Sequence, residues 1–127
     1  MRGGRPDAAV ALLETSVGWR VTPHGSMDAD NVPALWNLAQ CLRALGRPVD
    51  ASVHRRACWR LEESLYGATA LATLQTAVTL TDDLIEAGDP QGACAVAGHT
   101  VSLARAEPAL GEEDERAPWL AALEALV

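Results

Sequence analysis

The sequence predicts an all-α fold, an antiparallel helix-hairpin solenoid of about six helices. Three observations predict it. Apolar residues recur in steps of three and four. One helix breaker returns at a fixed interval. The composition favours helix over strand: 49% of the chain is apolar, much of it Ala and Leu, with no Phe and Ile only at position 85.

The stretch from Asn31 to Glu63 shows the pattern in full. Its first helix, A, carries Leu35, Leu38, Leu42 and Leu45 on one face, with Ala39 beside them. Gly46 follows at a position that tolerates positive φ, where helices end. Pro48 lacks an N–H that a first helical turn would leave unpaired, so it opens helix B. The expected inner stripe of helix B is Ala51, His54, Cys58, Leu61 and Leu65.

A shift of 42 residues repeats this hairpin, placing Leu38 on Leu80, Leu42 on Leu84, Gly46 on Gly88, Pro48 on Pro90, Ala51 on Ala93 and Leu61 on Leu103. Backwards, Gly4, Arg5, Pro6 and Ala9 fall on Gly46, Arg47, Pro48 and Ala51. Forwards, Leu126 falls on Leu84. One breaker three times at equal spacing marks a solenoid.

The elements follow in order. Residues 7–21 read as helix B of an incomplete first repeat, with Ala9, Leu12, Leu13, Ser16 and Val17 inward and Gly18 weakening its end. Residues 22–30 are a loop rich in turn formers. Asp30 or Asn31 caps the next helix A, which ends at Gly46. Helix B covers about 48–65. A second helix A spans 69–87, with Leu71, Leu74, Val78, Thr81 and Leu84 in register. Asp89 caps, and Pro90 opens, a helix B over about 91–106. Residues 107–116 are a solvated acidic loop. Residues 117–127 match helix A of a further repeat. The chain is one domain, with a partial repeat at 4–25, repeats at 30–66 and 69–106, and a terminal helix at 115–127.

With those residues in place, the chain resembles the tetratricopeptide repeat family, especially its kinesin-light-chain-like form with a period near 42. Leu35, Leu38, Ala39, Leu42, Gly46, Ala51 and Cys58 fit the family pattern. Ala77, Leu80, Thr81, Leu84, Gly88, Ala93 and Thr100 fit it again, and Gly4, Ala9, Leu13 and Ser16 fit its helix-B half. Leu42 and Leu84 stand where the family usually has an aromatic, and Pro48 and Pro90 where Tyr is common. The resemblance implies a concave groove lined by the A helices, where a peptide or partner protein binds. Carried over by position, the groove residues are Trp36, Asn37, Gln40 and Arg43, then Thr79, Asp82 and Glu86, with Glu124 from the last helix. Trp36 offers a flat anchor, Asn37 and Gln40 amides for a peptide backbone, and Arg43 a fork for a carboxylate. Asp82, Asp83 and Glu86 are expected to form an acidic wall that favours a partner with positive charge.

Charge narrows the function classes. The net charge is −7, and all ten basic residues are Arg, the usage of a GC-rich bacterial genome. No basic stripe suits nucleic acid or an anionic membrane. No apolar run approaches the ~18–20 residues that span a bilayer. The Arg-rich start with a short apolar stretch, broken by Glu14, is a poor signal peptide. A cytoplasmic protein is expected.

Sites for chemistry are sparse. There is no phosphate-binding glycine loop and no Lys to serve one. His24, His54 and His99 have no nucleophile arrangement around them. His54 and Cys58 one helical turn apart, with Cys94 and His99, come nearest to a metal set. In the repeat register, however, Cys58 takes a small-residue position, and Cys41, Cys58 and Cys94 are expected as free buried thiols. Glu112, Glu113, Asp114 and Glu115 lack calcium-loop spacing. Arg55, Arg56 and Arg60 are placed on the outer side of helix B, paired with Glu62, Glu63 or a neighbouring acid. No catalytic residue, metal or cofactor is assigned.

The expected function is therefore a non-enzymatic protein-interaction scaffold. The alternative is a self-associating structural or sensor segment of a larger bacterial signalling or regulatory protein. The terminal helix motivates that alternative, because its only charge is Glu124. Trp119, Leu120, Leu123 and Val127 would make a homodimer contact.

Overall fold

The computed structural model describes residues 31–127 except 109 and 112. The helix expected at 7–21, the loop at 22–30 and Asp30 as a cap lie outside the described residues. Five helices follow one another: α1 (Asn31–Ala44), α2 (Pro48–Tyr66), α3 (Leu71–Glu86), α4 (Pro90–Arg105) and α5 (Ala117–Glu124). Each packs on the next, and α5 also reaches back to α3. Among the described residues the fold is all-α. No described helix is long and apolar enough to cross a membrane.

The tight turns show why the hairpins close where they do. After α1, Gly46 N–H donates to Arg43 O and Arg47 N–H to Leu42 O. After α3, Gly88 N–H donates to Ile85 O and Asp89 N–H to Leu84 O. These are the same bonds, 42 residues apart. Both satisfy the last helical carbonyls by a left-handed residue just beyond the helix. That residue is Gly46 at φ 73° and Gly88 at φ 82°, where a side chain would strain the backbone. Pro48 and Pro90 then open α2 and α4. The turns differ only in their caps. Asp89 Oδ1 accepts from Gly92 N–H at 2.9 Å, whereas Arg47 makes no side-chain cap and instead donates from Nε to Asp50 at 2.8 Å.

The α1 stripe is buried at Leu35, Leu38, Ala39 and Leu42. It meets Ala51, Cys58 and Leu61 of α2. A larger core joins Trp59 of α2 to Leu74, Ala77, Leu80 and Leu84 of α3 and Ala93, Val96, Ala97 and Val101 of α4. Leu123 of α5 closes it.

Three expectations need correction. The α2 stripe does not continue to Leu65, which is exposed. The helix lies between α1 and α3, so it buries a second face made of Arg55, Trp59 and Glu62. Cys94 is exposed rather than buried. The acidic loop is anchored rather than simply solvated: Thr69 Oγ1 donates to Glu107 Oε2 at 2.7 Å, and Arg116 Nη1 to Thr69 O at 3.3 Å. Arg116 also grips Asp114 with three N–H groups, two from its guanidinium and one from its backbone, which holds the Asp114 carboxyl down at about 2.

The turn geometry makes a paired prediction. A Cβ at Gly88 or at Gly98, within α4, would meet nothing within 4 Å, so packing does not separate them. Only Gly88 has positive φ. Gly88→Ala should lose about 1 kcal/mol, and Gly98→Ala should gain about 0.5–1 kcal/mol. Urea unfolding of the two variants checks the opposite signs.

Candidate functional site

The residues between α1 and α3 form the candidate site, and a buried ion network fixes them. Asp83 of α3 is fully buried. Its Oδ2 accepts from Arg55 Nε of α2 at 2.8 Å, and its Oδ1 accepts from Arg43 Nη1 of α1. Arg55 is fully buried as well. Its Nη2 donates to Gln40 Oε1 at 2.6 Å, and its guanidinium lies 4.3 Å from the centroid of the Trp36 ring. Nη1 of Arg55 has no hydrogen-bond partner among the described residues. Two cations share one carboxylate. Arg43 keeps a third of its side chain exposed, so solvent takes up part of the excess charge.

These contacts revise two expectations. Arg55 is not on an outer side; its partner is Asp83, not Glu62 or Glu63. Asp83 does not belong to an exposed acidic wall, because two guanidinium groups neutralise it. Asp82 and Glu86 remain exposed.

Beside this network a cleft of about 220 Å³ opens between α1 and α3. Val32, Pro33, Trp36 and Asn37 line one wall, Ala72, Gln75 and Thr76 the other, and Cys58 and Glu62 of α2 complete it. Glu62 is 3% exposed. Its Oε1 accepts from Thr76 Oγ1 and lies 3.5 Å from Cys58 Sγ. The thiol is also 3.6 Å from Val32 O, so its one proton serves one acceptor or the other. Burial pushes the Glu62 carboxyl above its usual range, against the pull of the Thr76 and Cys58 hydrogen bonds. Burial, then the nearby Glu62 charge, pushes the Cys58 thiol up to about 12. At neutral pH that thiol stays protonated and is a poor nucleophile.

Of the residues placed in the groove from sequence, Trp36 and Asn37 line this cleft. Gln40 and Arg43 are held by Arg55 and Asp83. Thr79 Oγ1 donates to Gln75 O at 3.0 Å. Thr79, Asp82 and Glu86 lie further along α3 and do not line the cleft. In the terminal helix, Leu123 is fully buried in the core; Trp119 and Leu120 pack partly against it, and Val127 is 65% exposed. Sequence reasoning missed Arg55, Glu62, Gln75 and Thr76 as parts of the site and read Asp83 as exposed. Arg55, Trp59 and Glu62 do share helical spacing, which was the available signal.

A second cleft, between α2 and α4, is lined by Arg56, Trp59, Arg60, Glu63 and His99. Glu63 Oε2 sits 2.8 Å from His99 Nε2, and the Trp59 and His99 rings meet edge to face. Among the described residues, no group of three His, Cys, Asp or Glu side chains could hold a metal ion.

No protein-family model matches the chain, and no curated protein matches it.

The Glu62 environment predicts a pH effect. A raised folded-state value means the fold holds this proton more tightly than the unfolded chain does. The related stability is fully present below the ordinary carboxylate range and is lost as pH rises through the raised value. Glu62→Gln should therefore leave stability near pH 4 almost unchanged and raise it at pH 8, flattening the profile between them. Urea titrations at both pH values test this.

Proposed function

We propose that this chain is a non-enzymatic interaction scaffold that holds a peptide or partner segment in the cleft between α1 and α3. The observation that carries the reading is the cleft itself, an opening with the half-buried Trp36 on one wall and the Asn37 and Gln75 amides beside it. An indole face anchors an apolar group, and amides bond an extended backbone. The resemblance to tetratricopeptide arrays supports the same use of the A helices, and the proposed setting is the bacterial cytoplasm.

One observation favours self-association as a second reading. Val127 is 65% exposed beyond α5, and an open cleft of about 380 Å³ lies between α4 and α5, lined in part by Val101, Leu110 and Leu120. A second copy would cover that surface through Leu120 and Val127. Leu123 would take no part, because it is already inside.

Asn37→Arg separates the readings. Asn37 is exposed, so the longer side chain fills the cleft mouth without disturbing the core. Affinity capture from source lysate should lose its partner by about tenfold or more with this variant and keep it with Ala95→Arg on the opposite face. Equal capture by both overturns the groove reading. A concentration-dependent dimer mass, abolished by Val127→Asp, would put self-association in its place.

A further inference from the structure

Resting on that reading of the cleft, we propose that its ligand is a single basic side chain, Lys or Arg, of an extended peptide, with the Glu62 carboxylate as its counter-charge.

Glu62 is a nearly inaccessible acid in a cleft that no cation lines among the described residues. Its Oε1 takes the Thr76 hydroxyl and faces the Cys58 thiol. No donor among the described residues reaches its Oε2. The Arg55 guanidinium, on the same helix, is engaged through Nε by Asp83 and through Nη2 by Gln40. From α1 the cleft receives Val32, Pro33, Trp36 and Asn37, and from α3 Ala72, Gln75 and Thr76, none of them charged. A buried carboxyl without a counter-charge is costly when ionised. A cation delivered from outside removes that cost.

The shape of the cleft selects which cation. Its walls are apolar beside Val32, Pro33, the Trp36 ring and Ala72, and its acid comes from α2 behind them. Lys and Arg match this order, with an aliphatic stem and a charged tip. A volume of about 220 Å³ fits one long side chain rather than a folded element. An acidic side chain would meet Glu62 repulsion, and an apolar one would leave Glu62 unpaired. Outside the cleft, exposed Asp82 and Glu86 and a net charge of −7 draw a basic segment in.

The test is selection from a phage-displayed random peptide library on the full chain. Selected peptides are remade synthetically and titrated against wild type, Trp36→Ala and Glu62→Gln. The proposal expects one shared Lys or Arg position and loss of binding to Trp36→Ala. Replacing that residue by norleucine should weaken wild-type binding at least about tenfold, with little effect on Glu62→Gln. The norleucine arm uses unaltered protein, so it does not depend on any variant folding. Peptides that need Trp36 but share no basic residue, or that bind equally well with norleucine, overturn the basic-side-chain assignment and leave the groove reading standing. Peptides indifferent to Trp36→Ala, or no selected peptides at all, overturn both.

Discussion

Asp83 is the constraint around which the described helices are arranged. Its carboxylate is fully buried, and an ionised carboxylate in that setting is tolerable only with close, hydrogen-bonded counter-charges. It finds one on α1, Arg43, and one on α2, Arg55. Three successive helices therefore meet in one ion cluster. Apolar packing alone would hold α1 to α2 and α3 to α4, because Leu and Ala faces are forgiving of small shifts. A carboxylate shared by two guanidinium groups is less forgiving. It sets the position of the second hairpin against the first, since a slide would strand a charge out of water.

The cleft follows from that placement. Gln40 and Trp36 are drawn to Arg55, one as acceptor and one as a flat face under the cation. Trp36 thereby becomes a fixed wall rather than a loose surface ring. Gln40 and Arg43, which look like free contact residues on a helical wheel, are engaged in holding the hairpins together. The side chains left open to a partner are Asn37, Gln75 and the outer part of Trp36. Behind them lies Glu62, whose ionised form has no counter-charge among the described residues.

Much of the architecture was legible because it is local. The Gly46 and Gly88 turns, the Pro48 and Pro90 helix starts and the Leu stripes of α1 and α3 depend on neighbours within a few residues. The site was less legible. The second buried face of α2 is built from Arg55, Trp59 and Glu62, and a search for apolar periodicity passes over charged residues. Nor does spacing reveal that Arg55 meets a partner 28 residues away. Asp83 stood beside Asp82 in the sequence and read as solvent-facing, yet a step of one residue on a helix turns it inward. The terminal helix, with Glu124 as its only charge, suggested a sticky outer surface, but Leu123 has its partners in the core.

The central claim is that Asp83 and Arg55 couple the two hairpins. A double-mutant cycle measures this directly, using Asp83→Leu, Arg55→Met and the pair, each followed by urea unfolding of the full chain. Asp83→Leu leaves the buried Arg55 without a counter-charge and should lose about 3–5 kcal/mol, Arg55→Met leaves Asp83 to Arg43 alone and should lose less, and the double should lose well under their sum. Losses that simply add, or single losses below about 1 kcal/mol, would contradict the account and leave apolar packing as what sets the hairpins together.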